Sequence, residues 1–187
     1  VPAVEAAIAG GARVVQYRDK RSQPEVRLSQ AWKISDLCRR HGVCFLVNDD
    51  VALAAKTGAH GVHLGRDDLP LAQAREQLGA DSVIGVSCYN ELERALMAQH
   101  QGANYIAFGS FFPSRTKPQA VRATPELLRE ARPQLNIPII AIGGITPENG
   151  ATLIEAGADM LAAIDGVFNQ TDIRAAAERY ARLFPKT

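Results

Sequence analysis

A cluster of hydroxyl and cationic side chains lies in the segment FFPSRTKPQA, residues 111–120. It directly follows NYIAFGS, an apolar run with the composition of a buried strand. Ser114 and Thr116 alternate there with Arg115 and Lys117, and none of these side chains builds a hydrophobic core. Such a cluster at a strand end is suited to binding an anion, and we assign Lys117 to that role.

A second polar segment, QYRDK, covers residues 16–20 and also follows an apolar run. Because side chains alternate along a strand, Gln16, Arg18 and Lys20 are expected on one face. That face would offer one amide and two cations to an anion. The alternative is an ordinary polar strand end in which Arg18 and Asp19 pair in solvent, and the segment alone leaves both interpretations open.

Acidic side chains follow the next two apolar runs. Asn48, Asp49 and Asp50 end the first run, and Asp67 and Asp68 follow the second. Mg²⁺ in proteins is typically held by one or two carboxylates together with substrate phosphates. We therefore expect one carboxylate of each pair, Asp49 and Asp68, to bind Mg²⁺. Helix capping is the alternative role for aspartate before a helix, and we expect Asp50 and Asp67 to be structural.

No nucleophile with an activating base is evident in the sequence. Ser87 lies in GVS but has neither a G-x-S-x-G context nor a visible histidine partner, so we expect it to donate a hydrogen bond to substrate. His63 lies inside the apolar run GVHLG, where a histidine is more often a hydrogen-bonded interior residue than a general base. Cys88 is expected to be buried and unreactive.

Two glycines, Gly143 and Gly144, precede a predicted helix start at Thr146. Glycine lets backbone amides approach a ligand, and a helix N-terminus favours anions. In (β/α)8 barrels a phosphate site commonly lies at the loops after strands seven and eight, which here are the loops at Gly143 and Asp165. We therefore expect Gly144 to contact a phosphate; the alternative is a glycine turn that binds nothing.

The overall composition gives no support to several classes of partner. With 21 basic and 20 acidic residues the net charge is +1, so neither nucleic acid nor an anionic membrane surface is expected. The longest apolar run, around residues 137–145, is too short to span a bilayer. Three cysteines without C-x-x-C spacing fit a reducing compartment, and we expect a cytoplasmic protein. The sequence leaves a homo-oligomer open.

A recurring sequence motif indicates the fold. A Gly-Ala-polar ending followed by an apolar run of strand length occurs in GGARVVQY, TGAHGVHL, LGADSVIG, QGANYIAF and AGADMLAA. Glycine just past a helix end adopts the left-handed conformation readily, and short uninterrupted apolar runs are typical of parallel strands. With VCFLVN and IPIIAIGG, the count is seven strands, each followed by a helix, and one helix before the first strand.

This rhythm predicts an α/β protein with a single (β/α)8 TIM-barrel domain over residues 1–187. A closed barrel needs eight strands, so we expect the first strand to lie upstream of Val1 and the domain to be N-terminally incomplete. The competing doubly wound sheet is disfavoured because neither a G-x-G-x-x-G nor a Walker A motif is present.

The predicted strand ends together offer three kinds of anion site. They are a cationic set at Arg18, Lys20 and Lys117, a carboxylate–metal set at Asp49 and Asp68, and a glycine backbone at Gly144. One monophosphate does not need all three. They suggest a pyrophosphate held through Mg²⁺ beside a second phosphorylated substrate, and hence transfer or isomerisation on phosphorylated small molecules.

In this order the motifs QYRDK, NDD, HLGRDD, GVS, PSRTK and GGI, with the strand before VF, resemble thiamine-phosphate synthase along nearly the whole chain. The resemblance implies a (β/α)8 barrel and a transferase. Its reaction would join 4-amino-2-methyl-5-hydroxymethylpyrimidine diphosphate to 4-methyl-5-(2-phosphoethyl)thiazole and release pyrophosphate. The implied mechanism is dissociative and relies on electrostatic stabilisation and positioning, without a covalent nucleophile.

The resemblance also implies residue roles. The pyrimidine diphosphate would be bound by Gln16, Arg18, Lys20, Asn48, Ser87 and Lys117, with Lys117, Arg18 and Ser87 in catalytic roles. Mg²⁺ would be held by Asp49 and Asp68. The thiazole phosphate would be received by Ser114, Thr116 and Gly144, with the backbone at Ile164 and Asp165.

The chain departs from the family pattern at Asp165 and in the expected absence of the first strand, and two rival functions accompany the resemblance. The family pattern predicts a serine where Asp165 stands, and an anion there is unfavourable unless its side chain turns away. The first rival is the related thiazole tautomerase, for which a histidine is expected just after GVS, where this chain has Tyr89. The second is a non-catalytic phosphate-binding domain of a longer fusion protein.

Overall fold

The computed structural model describes residues 1–113 and 121–185. Within these residues seven parallel strands form one sheet, and their order in the sheet follows their order in the chain. The strands are β1 (Val14–Tyr17), β2 (Cys44–Asn48), β3 (Gly61–Leu64), β4 (Val83–Tyr89), β5 (Tyr105–Gly109), β6 (Ile139–Ile142) and β7 (Met160–Ala162). The α-helices are α1 (Pro2–Ala9), α2 (Pro24–Arg40), α3 (Val51–Thr57), α4 (Leu71–Leu78), α5 (Leu92–His100), α6 (Pro125–Ala131), α7 (Pro147–Glu155), α8 (Asp165–Phe168) and α9 (Ile173–Ala181).

Consecutive strand residues pack on opposite faces of this sheet. Phe45 and Ile106 belong to the large apolar cluster that also contains the buried helix residues. Their neighbours Leu46 and Tyr105 belong to a smaller cluster that, in the described part of the chain, contains only strand residues. The helices therefore cover one face of the sheet, which is the arrangement of a barrel and not of a doubly wound sheet.

The predicted alternation of strands and helices is confirmed. In the described ranges, each strand is followed by a helix, and α1 precedes the first strand. The sheet ends at β1 and β7, and α1, which precedes β1, packs against α9, which follows β7 in the chain. No helix among the described residues is long and apolar enough to cross a membrane.

Parallel strands bring all their carboxyl ends to the same edge of the sheet. The carboxyl ends of β1 to β7 therefore surround one mouth, and the polar motifs QYRDK, NDD, HLGRDD, GVS and GGI of the described residues lie at these ends.

Candidate active site

Two amide side chains meet at the ends of β1 and β2. Gln16 pairs in register with Leu46, and Asn48 follows two residues later on the same face. Nε2 of Gln16 donates a hydrogen bond to Oδ1 of Asn48 at 2.8 Å. Each amide fixes the orientation of the other on the face of the sheet away from the helices.

The turn after β1 is shaped by Asp19. Its Oδ1 accepts hydrogen bonds from the backbone N–H of Arg21 at 2.8 Å and of Ser22 at 3.1 Å. The hydrogen bond with the Ser22 side chain, followed by these backbone bonds, lowers the pKa of Asp19 to about 2. The Asp19 carboxylate is thus held by its own turn, and no ion pair of the described residues joins it to Arg18.

Two carboxylates from the ends of β2 and β3 are hydrogen-bonded to one another. Burial raises the pKa of Asp49, but the hydrogen bonds with Lys20 and Asp68 and the charges of Lys20 and Arg18 outweigh it, so this pKa lies below its ordinary value. Burial and the neighbouring Asp49 raise the pKa of Asp68, although Asp68 Oδ2 accepts a 2.6 Å bond from the Gly65 N–H. Of the two carboxyl groups, that of Asp68 therefore has the higher pKa.

This carboxylate pair fits a divalent cation that also binds phosphate. Two neighbouring carboxyl groups concentrate negative charge, which a cation between them would neutralise. Within the described ranges, no group of three or more His, Cys, Asp or Glu residues could hold a metal ion. Two carboxylates are nevertheless the usual protein contribution to Mg²⁺ when substrate phosphates and water complete the coordination.

The other two acids of these loops have different surroundings. Asp50 caps α3, since its Oδ1 accepts from the Leu53 N–H at 2.8 Å and its Oδ2 pairs with Arg27 at 2.7 Å. Its predicted structural role is confirmed. Asp67 is exposed, and α4 begins only at Leu71 with Pro70 at its N-cap, so the prediction of a capping role for Asp67 is wrong.

Ser87 has a histidine partner that the sequence did not reveal. Its Oγ lies 2.8 Å from Nε2 of His63, and Nδ1 of His63 lies 2.8 Å from the hydroxyl of Tyr105. His63 is buried, which confirms its prediction as a hydrogen-bonded interior residue. The three residues come from β3, β4 and β5, so no local motif could have connected them.

Arg94, on α5, holds the ends of two strands and was missed in the sequence. Its Nε donates to the carbonyl of Ser87 at 2.8 Å, and one terminal nitrogen donates to the carbonyl of Gly65 at 3.4 Å. A single arginine in an amphipathic helix is usually a solvent-facing residue, so no sequence signal distinguished Arg94. Cys88 is buried as predicted, and burial raises the pKa of its thiol to about 12.

Close packing explains the glycine at position 144. Gly144 has φ of 63°, and a Cβ atom there would lie 2.4 Å from the carbonyl oxygen of Pro113. The side chain of Asn149 accepts from the Thr146 N–H at 2.8 Å and donates to the Gly144 carbonyl at 3.1 Å. Thr146 is the N-cap of α7 and forms a capping box with Asn149, and the helix begins at Pro147. The predicted helix start is therefore confirmed.

Ile164 and Asp165 lie at the start of the short helix α8. Ile164 is its N-cap, and Asp165 is its first residue. Nδ2 of Asn169 donates to Oδ1 of Asp165 at 3.2 Å, which draws the carboxylate along the helix and away from its N-terminal end.

Three predicted site residues, Ser114, Thr116 and Lys117, lie outside the described residues. The two flanks of their segment are joined to one another. The N–H of Ser110 donates to the Val121 carbonyl at 3.0 Å, and the N–H of Ala123 donates to the Ser110 carbonyl at 3.1 Å. Both flanks therefore lie beside the end of β5.

Comparison with known proteins gives the family. The family model described as thiamine monophosphate synthase matches residues 1–167. The chain belongs to this family. A thiamine-phosphate synthase from Thioalkalivibrio sulfidiphilus is 53% identical over 180 residues, covering 96% of this chain and 85% of that protein. One from Nitrosococcus oceani is 51% identical over 183 residues, covering 98% of this chain and 84% of that protein.

A solved structure of a thiamine phosphate pyrophosphorylase from Pyrococcus furiosus superposes with a TM-score of 0.90 at 34% identity. It covers 97% of this chain and 87% of the other. As a member of the thiamine monophosphate synthase family the chain is an enzyme, a transferase that acts on phosphorylated small molecules. The seven parallel strands of the described residues form a curled, barrel-like sheet that is shared with this structural neighbour.

Proposed function

We propose that this chain joins 4-amino-2-methyl-5-hydroxymethylpyrimidine diphosphate to 4-methyl-5-(2-phosphoethyl)thiazole, giving thiamine monophosphate and pyrophosphate. The observation that carries the proposal is the Lys20–Asp49–Asp68 cluster beside the Gln16–Asn48 amide pair. A cation, two acids and two mutually oriented amides at one mouth suit an aromatic ring that carries a diphosphate.

The diphosphate would lie between the ends of β1 and β4. Arg18 and Lys20 would neutralise its charge from one side, and Ser87 would donate to it from the other. Gln16 and Asn48 would orient the pyrimidine half of the substrate. Lys117 would complete the cationic set from the loop after β5.

Mg²⁺ held by Asp49 and Asp68 would supply the positive charge that stabilises the leaving pyrophosphate. The bond between the pyrimidine methylene carbon and the diphosphate oxygen breaks, and the electron pair leaves with pyrophosphate. The thiazole nitrogen then forms its bond to the resulting methylene cation. No proton has to be removed from the thiazole nitrogen, which agrees with the absence of a nucleophile–base motif in the sequence.

The thiazole phosphate would lie at the opposite side of the mouth. Gly144, the backbone at Ile164 and Asp165, and the hydroxyls of Ser114 and Thr116 would receive it. The bond from Asn169 supports this role, because it holds the Asp165 carboxylate away from an incoming phosphate.

We further propose that an eighth strand between β1 and β7 completes a (β/α)8 barrel, because these strands are the two edges of the sheet and the flanking helices α1 and α9 already touch. The single domain over residues 1–187, the cytoplasmic location and a homo-oligomer stay predictions.

Pyrophosphate release from both substrates with Mg²⁺ tests the function. We expect turnover that needs both substrates. Lys117→Ala should lower kcat/KM at least a hundredfold without changing the thermal unfolding temperature, whereas the matched control Arg115→Ala should stay within about threefold. Equal effects of the two variants would refute the role of Lys117, and a wild-type protein without pyrophosphate release would refute the synthase.

An assay of thiazole tautomerase activity distinguishes the proposed synthase from the two rival functions. The hydroxyl of Tyr89, at the position where the tautomerase histidine is expected, already accepts from the Arg66 N–H at 3.2 Å. Isomerisation of a thiazole phosphate without pyrophosphate release would favour that rival, and ligand binding without either reaction would favour a non-catalytic domain.

A further inference from the structure

We propose that Tyr105 and His63 set the direction of the Ser87 hydroxyl, so that its hydrogen is available to the substrate in the mouth. Both would be positioning residues, since they act through Ser87. The identity of the acceptor, a diphosphate oxygen, rests on the proposed function. The hydrogen-bond direction itself rests on the contacts within the sheet.

A missing side chain on β4 makes the contact between these residues possible. In the strand register Gly85 lies directly beside His63 on β3 and beside Tyr105 on β5. A Cβ atom at position 85 would lie 1.8 Å from Cζ of Tyr105. The Tyr105 ring thus occupies the space above Gly85 and reaches His63 across the intervening strand, with ring centroids 5.6 Å apart.

Tyr105 is the donor in its bond with His63. Its side chain is buried, and burial raises the pKa of its hydroxyl, so the hydroxyl keeps its hydrogen. Among the described residues, the hydrogen-bond partner of this hydroxyl is Nδ1 of His63, at 2.8 Å. A buried hydroxyl hydrogen without an acceptor is costly, so Tyr105 donates and Nδ1 accepts.

The histidine tautomer then follows. A neutral imidazole whose Nδ1 accepts carries its hydrogen on Nε2, and Nε2 lies 2.8 Å from Oγ of Ser87. His63 therefore donates to Ser87. The serine hydrogen has to be directed to another acceptor, and a phosphate oxygen in the mouth is a strong one.

The opposite direction would make Ser87 a poor ligand for an anion. If Ser87 donated to His63, it would present only lone pairs to the mouth, and these repel phosphate oxygens. The same reasoning separates this chain of bonds from a serine–histidine nucleophile. A histidine that already carries its hydrogen on Nε2 cannot accept the serine proton.

Variants of Tyr105 and Ser87 test the inference through activity. Tyr105→Phe removes the donor and keeps the ring, and we expect it to lower kcat/KM for the pyrimidine diphosphate about five- to tenfold. The KM for the phosphorylated thiazole should not change. In a Ser87→Ala background the same substitution should have an effect of less than twofold, because the group it directs is gone. An equal loss in both backgrounds would overturn the proposal.

A pair of histidine variants supplies the matched control. Glutamine carries an amide N–H near the position of Nε2 and can still donate to Ser87, whereas asparagine is too short to do so. We expect His63→Gln to retain at least fivefold more kcat/KM than His63→Asn, with similar thermal unfolding temperatures. Equal activities of these two variants would count against a role in directing Ser87, even where Tyr105→Phe fails to fold.

Nitrogen NMR of the wild-type imidazoles tests the bond direction without any substrate. The signals of His63 can be assigned by their loss in His63→Gln. We expect an unprotonated Nδ1 and a protonated Nε2, and a hydrogen on Nδ1 would overturn the inference. This readout stays decisive if the protein releases no pyrophosphate, an outcome that would refute the proposed function instead.

Discussion

Nζ of Lys20 lies 2.7 Å from Oδ2 of Asp49, so one side chain of the proposed diphosphate site is paired with one of the proposed metal ligands. The Lys20 side chain is 59% exposed and the Asp49 side chain 23%, so the lysine is the partner that can move. An exposed ion pair of this kind contributes little to stability. We therefore expect Lys20 to leave Asp49 for the diphosphate when a cation takes its place at the carboxylate.

Removing either proposed metal ligand should weaken the response to Mg²⁺. We expect Asp49→Asn and Asp68→Asn to raise the Mg²⁺ concentration at half-maximal pyrophosphate release at least tenfold, because each loses one of two anionic ligands. Asp67→Asn is the matched control, since Asp67 is exposed in the same loop as Asp68. An unchanged Mg²⁺ titration in the Asp49 and Asp68 variants would rule out this metal site.

The backbone conformation at Asp49 is expected to lower the free energy of unfolding. Asp49 has φ of 66°, in the left-handed region that glycine adopts without a Cβ penalty. Asp49→Gly and Asp49→Ala both lose the carboxylate, but only alanine keeps the steric strain. We expect the glycine variant to have a free energy of unfolding about 1 kcal/mol higher than the alanine variant. Urea denaturation measures the difference, and equal stabilities would show that the backbone there is unstrained.

The contact between Asn169 and Asp165 should control binding of the thiazole phosphate. We expect Asn169→Ala to raise the KM for the phosphorylated thiazole about threefold, because it frees a carboxylate near the phosphate. Asp165→Ser in the same background should restore the wild-type KM. Steady-state kinetics at saturating pyrimidine diphosphate gives both values. If Asn169→Ala leaves the KM for the phosphorylated thiazole unchanged, the Asp165 carboxylate does not face the phosphate.

Asp19 should contribute to stability in a pH-dependent way. Its pKa in the folded chain is about 2, below the ordinary value of 3.8, so folding favours the charged carboxylate. The contribution is therefore fully present above about pH 4 and is lost as the pH falls through 2. We expect wild type to unfold at a higher temperature than Asp19→Asn at pH 5, with the difference shrinking toward pH 2. A carboxyl NMR titration of Asp19 with a midpoint near 3.8 would contradict this expectation.

Local pattern was enough to predict the strands and the rim motifs. Each Gly-Ala-polar phrase marks a helix end and the next strand, and both signals lie within about ten residues. Asp50 was also predictable, because an aspartate just before a helix caps it whatever the surrounding fold. Asp67 was not, because an aspartate caps only the helix that starts beside it, and α4 starts later, after Pro70.

The contacts among Ser87, His63 and Tyr105 could not be predicted from local sequence. They depend on register between β3, β4 and β5, which is a property of the assembled sheet. Gly85 appears in the sequence only as a small residue inside a strand, yet its missing side chain is what allows the two rings to meet. The role of Arg94 was unpredictable for a similar reason, since its two carbonyl partners lie on β4 and just after the end of β3.

Helix α9 also contacts the side of the mouth that we propose to bind the thiazole phosphate. The hydroxyl of Tyr180 donates to the Ile145 carbonyl at 2.8 Å, and a Cβ atom at Gly166 would lie 1.9 Å from that hydroxyl. One phenol thus fixes the loop after β6 and the start of α8 at the same time. For protein engineering, we expect a truncation or fusion that disturbs α9 to shift the backbone at the proposed thiazole-phosphate site, so Tyr180 should be retained in any shortened variant.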